Sequence, residues 1–158
     1  MPTITPFLWF DGEAEKASAF YRSVFAGSKA GPVVRAGAAA DAPAVTVSFE
    51  LEGQPVIALN GGPHVTFNEA VSFLVACADQ AEVDSLWDRL ADGGTPGRCG
   101  WLKDRFGLSW QVVPAELGTL MGDPDPVRAG RVRAALMGMA RIDLAALRAA
   151  RDDGARQG

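Results

Sequence analysis

The chain has 158 residues, of which 48% are hydrophobic and 22% charged, and it carries a formal net charge of −4. That size suits one domain or two tightly fused half-domains, and the composition is too apolar for a disordered chain. Mild acidity without a Lys/Arg run argues against a nucleic-acid surface, and no apolar stretch is long enough to span a membrane.

Residues 4–10 form a short apolar run rich in aromatics, which predicts a strand broken by Asp11-Gly12. In residues 13–26 the side chains of Ala17, Phe20, Tyr21, Val24 and Phe25 recur at helical spacing, and Gly27 ends the helix. A brief strand is expected at 33–35 and a turn without core-forming residues at 36–43. Residues 45–51 alternate with period two, and Glu52-Gly53 turns them into a return strand at 55–59. Asn60-Gly61-Gly62-Pro63 opens a linker that runs to Glu69.

The pattern then restarts. A buried strand is expected at 71–77, followed by a capping box from Asp79 to Glu82. Val83, Leu86, Trp87 and Leu90 share one helical face, and Gly93-Gly94 stops the helix. Short strands are expected around Arg98 and at 100–104, then a turn at Phe106-Gly107 and a last strand at 108–113. Beyond Pro114 the pattern is helical. Asp125-Pro126 supplies a cap and a first-turn proline for a helix at 127–139, and Asp143 caps a short helix carrying Leu144 and Leu147. Met137, Met139 and Ile142 read as core rather than partner-facing surface, and the polar tail 152–158 is expected to fray.

The two halves overlay. Tyr21 matches Trp87 as the aromatic anchor of each helix, and Gly53 matches Gly107 as the turn before each final strand. The loop at 36–43 accounts for the extra length of the first half. The expected fold class is therefore α+β. Paired βαβββ modules (about 3–60 and 70–114, linker 60–69) would form a curved mixed sheet around a cavity, with a helical extension at 115–151.

Several segments carry a family resemblance. They are Ile4-Thr5-Pro6-Phe7-Leu8-Trp9-Phe10-Asp11-Gly12-Glu13-Ala14-Glu15, Leu59-Asn60-Gly61-Gly62-Pro63-His64, Phe67-Asn68-Glu69, Cys99-Gly100-Trp101-Leu102-Lys103-Asp104 through Gly107, Ser109-Trp110-Gln111-Val112-Val113-Pro114 and Asp123-Pro124-Asp125-Pro126. Together they resemble the PhnB-like branch of the vicinal oxygen chelate superfamily. The resemblance covers nearly the whole chain and implies the glyoxalase/bleomycin-resistance fold, usually as a homodimer. The branch often carries the label 3-demethylubiquinone-9 3-methyltransferase. A methyl donor such as S-adenosylmethionine usually needs a glycine-rich turn leading into a helix. Gly61-Gly62 is followed by Pro63 and no helix, so that activity and a bound cofactor are not expected.

Metal-using members of the superfamily bring one ligand from the first and one from the last strand of each module. The resemblance places Pro6, Ile57, Ser72 and Gln111 at those positions, a poor divalent-metal set, and the chain has one histidine. A metal-free protein is expected. His64 reads as a loop histidine before a general base, and Glu69 and Asp104 as linker and turn residues before an acid–base pair. No serine sits in a nucleophile elbow. Cys77 and Cys99 read as reduced structural thiols, Cys99 the more exposed, in a cytoplasmic protein.

What remains is a pocket. If Pro6, Ser72 and Gln111 face the cavity, strand alternation adds Leu8, Phe10, Leu74 and Ser109, while Phe7, Trp9, Phe73, Trp110 and Val112 pack under the helices. Gln111, Ser72 and Asn60 would orient a small apolar or aromatic ligand, and Trp101 would stack on it. The expected function is metal-independent small-molecule binding. The alternatives are a metal-dependent lyase, isomerase or dioxygenase of the same superfamily, and a structural or regulatory dimer without ligand.

Overall fold

The structure, a computed structural model, describes residues 1–153; the rest of the expected frayed tail, 154–158, lies outside the described residues. The chain divides into two compact units, Met1–Phe67 and the remainder from Asn68.

The first unit holds β1 (Phe7–Phe10), α1 (Ala14–Val24), β2 (Lys29–Arg35), β3 (Ala44–Leu51) and β4 (Gln54–Asn60). Its four-stranded sheet has the order β1-β4-β3-β2, with β1 parallel to β4 and the other pairs antiparallel. Period-two alternation buries Val47, Phe49 and Leu51 of β3 and Val56 and Ala58 of β4 on one face. Ala17, Tyr21 and Val24 of α1 are buried with them, and the Tyr21 ring stacks on Phe49 at 6.2 Å. Glu52 and Gly53 both have positive φ, 46° and 86°, the mirror-image turn whose twist suits a two-residue hairpin. β2 is longer than its three-residue apolar signal. Pairing with β3 recruits Lys29 and Ala30, and Lys29 joins Glu50 across the strands at 2.8 Å.

The second unit repeats the plan with β5 (Phe73–Cys77), α2 (Gln80–Ala91), β6 (Thr95–Pro96), β7 (Trp101–Lys103) and β8 (Ser109–Pro114), in the order β5-β8-β7-β6. Each unit thus contributes one four-stranded mixed sheet, the α+β paired-module plan that the sequence predicts. The capping box forms as the sequence predicts. Asp79 accepts from the Glu82 amide at 2.9 Å, and Glu82 reaches back to the Ala78 amide at 2.6 Å.

Three further helices follow: α3 (Leu117–Met121), α4 (Pro126–Met137) and α5 (Leu144–Asp152). The first has no amphipathic signature long enough to read from sequence. Asp125 and Asp143 cap the other two, accepting from Val127 and Ala146 amides. Leu120, Val132, Leu136, Ile142, Leu144 and Leu147 form their core together with Val113 of β8. Ile142 and Met139 belong to this cluster as expected, but Met137 is 62% exposed because the helix turns it outward. Gly100, at φ 83°, lies so close to this extension that a Cβ would stand 2.9 Å from the Ile142 side chain.

Candidate functional site

The helix-covered face of the first sheet is not the one expected. Leu8 pairs with Ala58 and Phe10 with Asn60, and both are buried on the face packed against α1. Phe7 and Trp9 take the opposite face with Ile57 and Leu59, so Leu8 and Phe10 are core residues rather than cavity residues. The strand is apolar on both sides, and period two alone does not say which side meets the helix. Asn60 is also withdrawn from ligand binding. Its carbonyl oxygen accepts from the Ala14 amide at 2.8 Å, and its amide nitrogen donates to Ala44 O at 2.9 Å.

The same shift corrects the first-module metal positions. Phe7 stands opposite Ile57 as Leu74 stands opposite Gln111, so the counterpart of Ser72 is Thr5, and Pro6 belongs to the other face. Threonine with isoleucine remains a non-chelating pair.

On the second sheet the strand facing agrees with the sequence, but the strand expected as buried over 71–77 begins at Phe73, with Val71 and Leu74 67% and 58% exposed, and the strand expected around Arg98 lies at Thr95–Pro96. Trp110 and Val112 are buried toward the helix, with Phe73 edge-on to Trp110 at 5.2 Å. Ser72, Leu74, Trp101 and Gln111 share the opposite face. On it, Leu74 of β5, Gln111 of β8 and Trp101 of β7 form one row across three strands, since Gln111 is the register partner of both neighbours. One step along the face lies a polar row. Ser109 is the partner of Lys103, and Ser72, just ahead of the Phe73–Trp110 pair, falls level with Ser109. Gln111 donates to the Ser72 hydroxyl at 2.9 Å, and Lys103 meets Glu69 at 2.5 Å. The hydrogen bond from Lys103 holds the Glu69 carboxyl below its usual range. Ser109 is 1% exposed, and its hydroxyl has no hydrogen-bond partner among the described residues. Sequence reasoning missed Lys103, although it lies two residues from Trp101 and so on the same face.

Asp104 is a turn residue, as the sequence indicates. Buried beneath the β7–β8 hairpin, it accepts from the Phe106 and Leu108 amides and from the Trp110 indole. His64 is exposed in the loop after β4. Gly61 and Gly62 serve packing. A Cβ on Gly61 would stand 2.2 Å from the Trp9 ring, whose indole N–H donates to Gly62 O at 2.9 Å. Cys77 is fully buried, and desolvation, with Glu82 and Asp79 adding to it, pushes its thiol up to about 11. Cys99 is half-buried against Leu136 O. A surface hollow of about 340 Å³ lined by Gln80, Asp84 and Arg141 is already tied together, with Gln80 bound to Ile142 O and the Leu144 amide and Arg141 paired to Asp84. Among the described residues no three His, Cys, Asp or Glu side chains gather to hold a metal, so the donor set does not fit the metal used elsewhere in the superfamily. No helix among the described residues is long and apolar enough to cross a membrane.

No curated protein matches the sequence. Residues 2–113 match the profile of the family described as 3-demethylubiquinone-9 3-methyltransferase. A PhnB protein from Bacillus cereus is 31% identical, with 72% of this chain and 100% of that one covered and a TM-score of 0.65. A protein from Pseudomonas aeruginosa shares the fold at 20% identity, covering 70% of this chain and 95% of that one, TM-score 0.58. The fosfomycin resistance protein FosX from Listeria monocytogenes, complexed with Mn(II) and sulfate, does so at 15% identity, covering 69% and 88%, TM-score 0.50. The repeated module, the profile match and these likenesses place the chain in the PhnB-like family of the vicinal oxygen chelate superfamily, beside the glyoxalase and bleomycin-resistance proteins.

Proposed function

We propose that the protein binds a small organic molecule without a metal, on the face of the second sheet that carries Leu74, Trp101 and Gln111. The observation that carries this reading is the Gln111–Ser72 hydrogen bond. At two positions where metal-using relatives place ligands, this chain holds an amide and a hydroxyl that satisfy each other. Neutral groups of this kind orient a ligand but hold a divalent cation poorly. An exposed leucine and a half-buried tryptophan on either side of a polar pair match the usual make-up of a small-molecule site.

The methyl transfer in the family's description has no support in the residues. Gly61 and Gly62 are occupied by Trp9, and no helix N-terminus follows them. The FosX structure is a Mn(II) complex, so the competing reading is a metal-dependent enzyme. Metal analysis of protein purified without chelator separates the two, with less than 0.1 equivalent of any transition metal expected, on the order of background. Stoichiometric metal would overturn the metal-free reading. A thermal-shift screen of a small-molecule library should yield stabilising compounds whose effect is lost in Gln111→Ala. A screen without any such compound argues for a purely structural protein.

A further inference from the structure

Asn60-Gly61 is the one place in the chain where asparagine precedes glycine, and that pair carries a chemistry of its own. With no side chain on the following residue, the next backbone nitrogen can reach the asparagine carboxamide. The nitrogen bonds to the side-chain carbonyl carbon, ammonia leaves, and a five-membered succinimide closes. Water then opens the ring to aspartate or isoaspartate, so each conversion consumes one water and releases one ammonia. The reaction asks three things of the protein: a free backbone nitrogen, a carboxamide free to turn, and a backbone that can bend the two together.

The fold withholds all three. The Gly61 amide donates to Phe10 O at 3.0 Å, so the nucleophile is engaged beside the β1–β4 ladder. The carboxamide is held at both ends, its oxygen by the Ala14 amide at 2.8 Å and its nitrogen by Ala44 O at 2.9 Å. Asn60 is the last residue of β4 and is paired with Phe10, which keeps its backbone extended. The Trp9 ring lies where a β-carbon of Gly61 would stand, and its indole N–H donates to Gly62 O at 2.9 Å. Both residues after Asn60 are thereby pinned.

The geometry points to Asn60 as a spontaneous deamidation site, shut in the folded chain and opened when the end of β4 separates from β1. The product does not fit the place it came from. Aspartate at this position still accepts from the Ala14 amide, but it turns a carboxylate oxygen toward Ala44 O, where the amide had donated. Isoaspartate also adds a carbon to the main chain beside the Trp9 ring. Deamidation therefore removes the link between α1, β3 and β4 for good, and Asn60 records past openings of the first unit.

The test is to hold the full chain at mildly alkaline pH and follow Asn60 by peptide mapping and mass spectrometry. Chain unfolded in urea should convert at least about tenfold faster than folded chain. Trp9→Ala, checked as folded by circular dichroism, should convert roughly threefold faster or more than the folded parent. Should that variant fail to fold, low concentrations of urea take its place: conversion should then rise in step with hydrogen exchange at the Gly61 amide. Asn60→Asp, which copies one product, should melt below the parent. Rates within about twofold in folded and unfolded chain would overturn the closure, and no conversion in the unfolded chain would overturn the site itself. An unchanged melting temperature for Asn60→Asp would overturn the loss of the link.

Discussion

Gly61 has no side chain because Trp9 takes its place. The indole ring occupies the volume of a β-carbon and is tethered by its N–H to the next carbonyl. The pair Gly61-Gly62, which by sequence could belong to a phosphate or cofactor turn, is instead the seat of an aromatic side chain. Gly61→Ala should cost about 1–3 kcal/mol through overpacking, read as a lower urea midpoint at unchanged slope. The same substitution in a Trp9→Ala background should cost much less; an equal cost in both backgrounds would refute the contact as its cause. Asn60 illustrates the same scale of decision. A polar residue expected to greet a ligand spends both ends of its amide on the backbone of α1 and β3.

At the scale of elements, the β7–β8 hairpin depends on one buried carboxylate. Asp104 gathers two amides and an indole N–H, so it ties the turn to the Trp110 side chain under the sheet. Removing it leaves those donors without a partner in a dry environment. Asp104→Ala should therefore lower stability by about 3 kcal/mol, measured by urea denaturation, whereas surface pairs such as Lys29–Glu50 contribute much less. A loss under about 1 kcal/mol would show that water replaces the carboxylate. Helix caps were legible because their chemistry is local: Asp79, Asp125 and Asp143 each accept the amides their sequence contexts assign. Strand facing in β1 was not legible. Phe7, Leu8, Trp9 and Phe10 are all large and apolar, so alternation left two equal choices and α1 decided between them.

At the scale of the molecule, the family match ends at residue 113, so α3, α4 and α5 lie outside it. They share a core with Val113 of β8 and are fastened to the rest of the second unit by Gln80 and by the amides of Cys99 and Gly100, which donate to Met139 and Ala140 carbonyls. The sheet of the first unit has β2 at one edge, with Val33 and Val34 exposed at 40% and 56%. An apolar edge of this kind favours pairing with another copy, and we propose a two-fold dimer. Light scattering at micromolar concentration should return twice the mass of the chain, and Val34→Lys should shift it toward the monomer. A monomeric mass for the unaltered chain would contradict the proposal.

The sequence alone determined the duplicated βαβββ plan, the helix caps and the hairpin glycines, because each depends on neighbours a few residues away or on a repeat visible in the chain. Tertiary structure alone decided which face of β1 is core, that Asn60 is a brace, and that Lys103, Ser109 and Glu69 lie together. Those outcomes depend on strands far apart in sequence coming into register, and local periodicity carries no record of the side from which a helix will cover them.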